Sequence, residues 1–263
     1  MRKLAFIAAL LATVLSTAAA LRAQTLGLPD RMQHGPDLVS GGFVALGGRL
    51  GEHRIACAQC HGLDGVADAS GAVPRLDAQN SWYLYKSLQD FASGLRYNQI
   101  MTPVAQQLDD RAMQNVAGYY ASLRPQPAES RQPEDVSLLQ RGGAISAVGV
   151  PERGIAACQN CHGAEGQGRP PVYPSLAGQY APYIELQLKR WKSGKRGGDP
   201  LNVMREIAVQ MSDDDIRAVS VYFASIRRNT AMVQNGLQYQ PGAVPEDSMP
   251  TGTLPPAAAG TGQ

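Results

Sequence analysis

Apolar side chains recur at helical spacing in four stretches of this chain, and the four stretches form two matched pairs. Tyr83, Leu88 and Phe91 share a face with Ser87, behind Asn80 or Ser81 as a cap and ahead of Gly94 as a stop. Tyr183, Ile184, Leu188 and Trp191 repeat that face and end at Gly194. Further on, Met113, Val116, Tyr120 and Leu123 follow Asp109, while Ile216, Val219, Phe223 and Ile226 follow Ser212-Asp-Asp-Asp215, a capping-box start. The pattern predicts short helices with loops between them, an all-α chain whose stripes are core.

The pairing extends to a repeat of a whole domain. Pro74-Arg75-Leu76-Asp77-Ala78-Gln79 answers Pro174-Ser175-Leu176-Ala177-Gly178-Gln179, and Gly41-Gly42 answers Gly142-Gly143. Met101-Thr-Pro-Val-Ala105 answers Met204-Arg-Glu-Ile-Ala208, and both lines run into Tyr-Tyr-Ala-Ser-Leu123 or Tyr-Phe-Ala-Ser-Ile226. The length differences fall in the Gly-rich stretch Lys195 to Pro200, where a loop tolerates insertion. Two domains are expected over 24–124 and 136–228. The polar, proline-rich connector at 125–135 is expected to be semi-extended, and a Gly/Pro/Ala/Thr-rich tail at 229–263 is expected to be disordered.

At the start, Arg2 and Lys3 precede an apolar run from Leu4 to Leu15 and small residues from Ser16 to Ala20, the three regions of a signal peptide over 1–23. Cleavage leaves no later segment long and apolar enough to span a membrane, so a soluble periplasmic protein is expected. The formal charge of +2 gives no basis for a nucleic-acid partner.

All four cysteines fall in two copies of one motif, Cys57-Ala-Gln-Cys60-His61 and Cys158-Gln-Asn-Cys161-His162. Cys-x-x-Cys-His attaches a c-type haem: each thiol adds to a vinyl group, and the histidine ligates the iron from the proximal side. Two covalently bound haem c groups are therefore expected. A single zinc site built from both pairs leaves the two histidines unexplained, and a thioredoxin-like reading needs a βαβ context that is missing.

Each iron needs a sixth ligand. Only His34 and His53 remain besides the proximal pair; His53 sits four residues before Cys57, too close to reach round to the opposite haem face, and His34 has no counterpart in the second half. Methionine is left, and Met/His ligation raises the potential. Met101 and Met204 are the two that the repeat superimposes, with Met211 the main competitor and Met113 a lesser one. Pro74 and Pro174 offer carbonyls to the second ring nitrogens of the histidines, and Tyr83, Tyr183, Trp191, Arg96 and Arg196 are candidate contacts to the haem edge or propionates. Lys189, Arg190, Lys192, Lys195 and Arg196 form a cation run with no match in the first half.

The doubled set of Cys-x-x-Cys-His-Gly, Pro-x-Leu-x-x-Gln, Gly-x-Arg, Met and closing Tyr-Tyr/Phe-Ala-Ser, over about residues 40–228, resembles the dihaem cytochrome c4 family. The resemblance implies two tandem class I cytochrome c domains related by a pseudo-twofold, with propionate edges facing each other, and a periplasmic electron-transfer role. It leads us to expect a carrier between a respiratory or dehydrogenase donor and an acceptor such as a terminal oxidase, with no catalytic residue. Redox partner proteins, among them a membrane oxidase or dehydrogenase, are implied. Two other readings use the same irons. One is an electron-transfer subunit of a periplasmic dehydrogenase complex. The other is a dihaem enzyme, a peroxidase or thiosulfate dehydrogenase, which needs an open distal position.

Overall fold

The described residues of the first half form five helices, and three of these start behind a polar side chain that accepts from exposed amide groups. Helix α1 (Leu38–Ala45) is capped by Asp37, α3 (Ser81–Ala92) by Asn80 and α5 (Asp110–Ser122) by Asp109; between them lie α2 (Cys57–His61) and α4 (Met101–Gln106). The second half repeats the order as α6 (Val136–Val148), α7 (Gln159–His162), α8 (Ala181–Lys192), α9 (Val203–Gln210) and α10 (Asp213–Ser225). These elements belong to a computed structural model that describes residues 35–47, 55–68, 70–126 and 135–228, and all lie in one unit that begins at Pro36. Among the described residues β pairing is limited to two isolated bridges, so the fold is all-α as expected. The signal region, the tail, most of the linker, His34 and His53 lie outside the described residues.

In each half the first described helix crosses the last at backbone contact, which explains the first glycine of the repeated Gly-Gly. A Cβ on Gly41 would sit 2.1 Å from the Asn115 carbonyl oxygen, and one on Gly142 would sit 2.2 Å from that of Ala218. No side chain fits there. The predicted stripes meet at these crossings. Val116, Ala117 and Tyr120 pack with Ala45 and Leu84 in the first core, and Ile216, Val219 and Phe223 pack with Ile145, Ile184, Leu188 and Met211 in the second.

The start of α10 carries the capping box read from the sequence, with Ser212 and Asp215 each bonding the other's backbone. The structure adds two arginines: Arg141 reaches Asp215 Oδ1 at 2.7 Å and Arg153 reaches Oδ2 at 2.6 Å. Burial alone would raise the pKa of Asp215; the bonds from Arg153, Arg141 and Ser212 outweigh it and hold the carboxyl well below the usual range. A depressed folded pKa contributes stability above the unfolded value of about 3.9, and that stability is lost as pH falls through the folded value. Asp215→Asn is accordingly expected to lower stability at pH 7 and to flatten its decline in acid, measured by urea unfolding between pH 7 and pH 2. An unchanged pH profile would refute this role.

The two halves are joined by a feature the repeat does not share. Asp77, wholly buried, pairs with Arg75 (2.8 Å) and with Arg228 (2.8 Å), the last described residue of the second half. It also accepts the Gln126 N–H at 3.0 Å. The equivalent positions in the second half are Ser175 and Ala177. The departure from the repeat at Asp77 thus marks a buried ion cluster between domains.

Candidate haem-attachment sites

Each Cys-x-x-Cys-His motif coils into little more than one helical turn, which places its histidine at the inner end. The glycine that follows takes a positive φ, +73° at Gly62 and +85° at Gly163, a conformation that turns the chain away from the helix and favours glycine. The returning loop then closes on the ring. His61 Nδ1 donates to the Pro74 carbonyl at 3.0 Å, and His162 Nδ1 donates to the Pro174 carbonyl at 2.9 Å. A carbonyl only accepts, so the proton sits on Nδ1 and Nε2 is the nitrogen able to bind metal. Burial lowers the pKa of both imidazoles against the opposing pull of the proline carbonyls, which favours the neutral, ligating form.

The thiols are unbridged. Burial raises the pKa of Cys57, and it pushes Cys158 up to about 11. A redox-active Cys-x-x-Cys needs the opposite shift. Among the described residues no three His, Cys, Asp or Glu side chains converge on a common point, so the shared zinc site has no geometric support either.

A small, largely apolar hollow lies beside the first attachment cysteine of the first half. Val44, Ile55, Cys57, Val104 and Leu108 line a pocket that spans from the attachment helix α2 to α4 and the residues just after it. Met101 opens α4, its amide held by Asn98 Oδ1 at 2.9 Å; Met204 lies in the first turn of α9, its amide held by Asp199 Oδ2 at 2.8 Å. Both methionines are half-buried. Met211 and Met113, by contrast, are 3% and 6% exposed, with Met211 in the second core. The Asx side chains that fix the methionine amides were not singled out by sequence reasoning, although Asn98 and Asp199 stand just upstream in both halves.

Arg96 and Arg196 come together at the boundary of the two domains. Arg96 donates to Ser87, Tyr183 and Gln187, and Arg196 donates to the same Gln187 oxygen and to Tyr83. Each guanidinium also lies over a ring of its own half, Arg96 at 4.6 Å from Phe91 and Arg196 at 3.7 Å from Trp191. Burial would raise the Tyr83 pKa, but the charges of Arg196 and Arg96 overcome it and bring the phenol to about 7. Two buried cations with no carboxylate among their side-chain hydrogen-bond partners suit an added carboxylate, the group a haem propionate supplies.

The cation run of the second half is not a single solvent-facing patch. Arg196 is buried, Lys189 pairs with Glu185, Arg190 donates to the Tyr97 carbonyl, and Lys192 bonds the Met211 carbonyl and Asp213. Arg190 and Lys192 tie the α8 end to its surroundings, whereas Lys189 pairs within the helix.

The glutamines that end Pro-x-Leu-x-x-Gln also cross the boundary. Gln179 bonds the backbone of Arg75, and Gln79 bonds that of Ser175, each through both its amide oxygen and its amide nitrogen. The repeat displayed these residues without revealing what they touch.

A family model described as Cytochrome c matches the chain twice, at residues 49–126 and 155–227. The thiosulfate dehydrogenase electron acceptor of Stutzerimonas stutzeri (strain A1501) is 41% identical over 179 residues, covering 65% of this chain and 79% of that protein. Among solved structures, reduced recombinant cytochrome c4 from Pseudomonas stutzeri superposes with a TM-score of 0.63 at 29% identity, covering 73% of this chain and 100% of the other. Thiosulfate dehydrogenase from Marichromatium purpuratum superposes with a TM-score of 0.67 at 35% identity, over 73% of this chain but 40% of the other.

Proposed function

Since the chain belongs to the cytochrome c family, as a dihaem cytochrome c4-like protein with two covalently attached haem c groups, we propose that it is a periplasmic carrier that accepts electrons from a dehydrogenase and delivers them to an oxidising partner. Dihaem electron transfer is the family property; the compartment, the donor and the absence of catalysis are our reading. Each haem, when bound, supplies an iron that cycles between ferric and ferrous states. Cys57, Cys60, Cys158 and Cys161 form the thioether links, His61 and His162 are the proximal ligands, and Met101 and Met204 are the distal ones. The domains are those of the repeat, 24–124 and 136–228, with export directed by residues 1–23.

The observation that carries this reading is the equivalence of the two sites. Both have a buried histidine oriented by a proline carbonyl and a methionine amide pinned by an Asx side chain, so neither resembles a site set aside for substrate. Two centres built alike, with no position set apart for a small ligand, suit a carrier.

For the donor, the name of the Stutzerimonas relative supports thiosulfate dehydrogenase. The chain matches 79% of the length of the Stutzerimonas electron acceptor, which favours the electron-accepting role. Mixed with thiosulfate and an active thiosulfate dehydrogenase, the oxidised holoprotein is expected to become reduced at both haems in stopped-flow absorbance, and thiosulfate alone is expected to leave it oxidised. Reduction by thiosulfate alone would replace the carrier reading with a catalytic one. An inert holoprotein beside active dehydrogenase would exclude that donor.

A further inference from the structure

The peptide group that orients each proximal histidine is shared with the opposite domain. The Pro74 carbonyl that accepts from His61 Nδ1 and the Arg75 N–H that donates to Gln179 Oε1 at 3.0 Å belong to one peptide unit. Gln179 Nε2 returns a bond to the Arg75 carbonyl at 3.0 Å. The mirror arrangement is complete: the Pro174 carbonyl takes the His162 proton, the Ser175 N–H donates to Gln79 Oε1 at 2.9 Å, and Gln79 Nε2 donates to the Ser175 carbonyl at 2.9 Å. Gln79 and Gln179 are 6% and 8% exposed, and each Oε1 also takes the amide of the next residue, so the side chains are held in place.

Hydrogen bonds in series polarise one another. An acceptor on the N–H side of a peptide makes its carbonyl a stronger acceptor, and a stronger acceptor at Nδ1 makes the opposite ring nitrogen a better donor to a metal. Better donation favours the ferric state. We propose that Gln79 and Gln179 are positioning residues that act crosswise: Gln179 of the second domain tunes the haem held by His61, and Gln79 of the first tunes the haem held by His162. The proposal rests on the reading of His61 and His162 as proximal ligands. It gives each domain a means of sensing whether the other is docked, because separation removes the glutamine from the peptide.

The test uses the full dihaem protein, with paramagnetic proton NMR to follow each proximal ring and redox titration to obtain each midpoint potential. Gln179→Leu is expected to raise the potential of the His61 haem, with about a twofold change in its ferrous-to-ferric ratio at fixed potential, and to leave the His162 haem nearly unmoved. Gln79→Leu is expected to do the reverse. Gln179→Glu keeps an acceptor oxygen on Arg75 N–H and adds negative charge, so it is expected to lower the potential of the His61 haem. General loosening would move the Leu and Glu variants in the same direction. The coupling is overturned by a shift at the haem of the substituted residue's own domain, by equal shifts at both, by equal signs for Leu and Glu, or by no shift. Absence of hyperfine-shifted histidine ring protons in the parent protein would instead remove the ligand reading on which the coupling stands.

Discussion

An Asp77→Ala chain is expected to lose about 3–5 kcal/mol of folding stability, because it leaves two buried guanidiniums with no counter-charge. Arg75 and Arg228 have side chains 2% and 6% exposed, so water is poorly placed to replace the carboxylate. The Gln126 amide loses its acceptor as well. Denaturant unfolding of the haem-loaded protein measures the effect. A loss within about 0.5 kcal/mol, the range of ordinary surface substitutions, would mean that the cluster contributes little. Replacing all three charged residues together by apolar ones of similar volume is expected to recover much of the loss, since the cost lies in unpaired charge rather than in the missing pair itself.

Replacement of either Met101 or Met204 by alanine is expected to abolish one of two methionine-to-iron charge-transfer bands in the ferric spectrum, and to lower the potential of that haem. The double variant loses both bands. Met211→Leu, a substitution of similar volume in the second core, is expected to keep both bands and to cost less than about 1.5 kcal/mol. If Met211→Leu removes a band and Met204→Ala does not, the ligand on the second iron is Met211. Both single alanine variants are also expected to admit carbon monoxide to one reduced haem, whereas the parent protein is expected to bind none readily.

The helical class, the repeat and the two histidine sites were legible because each rests on local chemistry. Caps at Asn80, Asp109 and Ser212 announce helix starts, and the spacing of Val116 with Tyr120, or of Val219 with Phe223, announces a buried face. The Pro74 and Pro174 carbonyls were reachable by reasoning because an oriented imidazole needs a second partner, and few groups stand at a suitable distance along the chain. Contacts between the halves were not legible. Gln79 and Ser175 are 96 residues apart, Asp77 and Arg228 are 151 apart, and periodicity carries no information on such pairs. Adjacency in sequence likewise gave no sign that Arg196 turns inward while Lys189 pairs along its own helix.

The reciprocity of Gln79 with Ser175 and of Gln179 with Arg75 has the form of an isologous interface, in which a patch on one copy meets the same patch on another. Such a surface is self-complementary before any gene duplication, so an ancestral homodimer can be fused into one chain without inventing a contact. Fusion then frees the copies to diverge. Arg75 and Asp77 in place of Ser175 and Ala177, answered by Arg228, form an arrangement that a symmetric dimer has no means of encoding on one side alone.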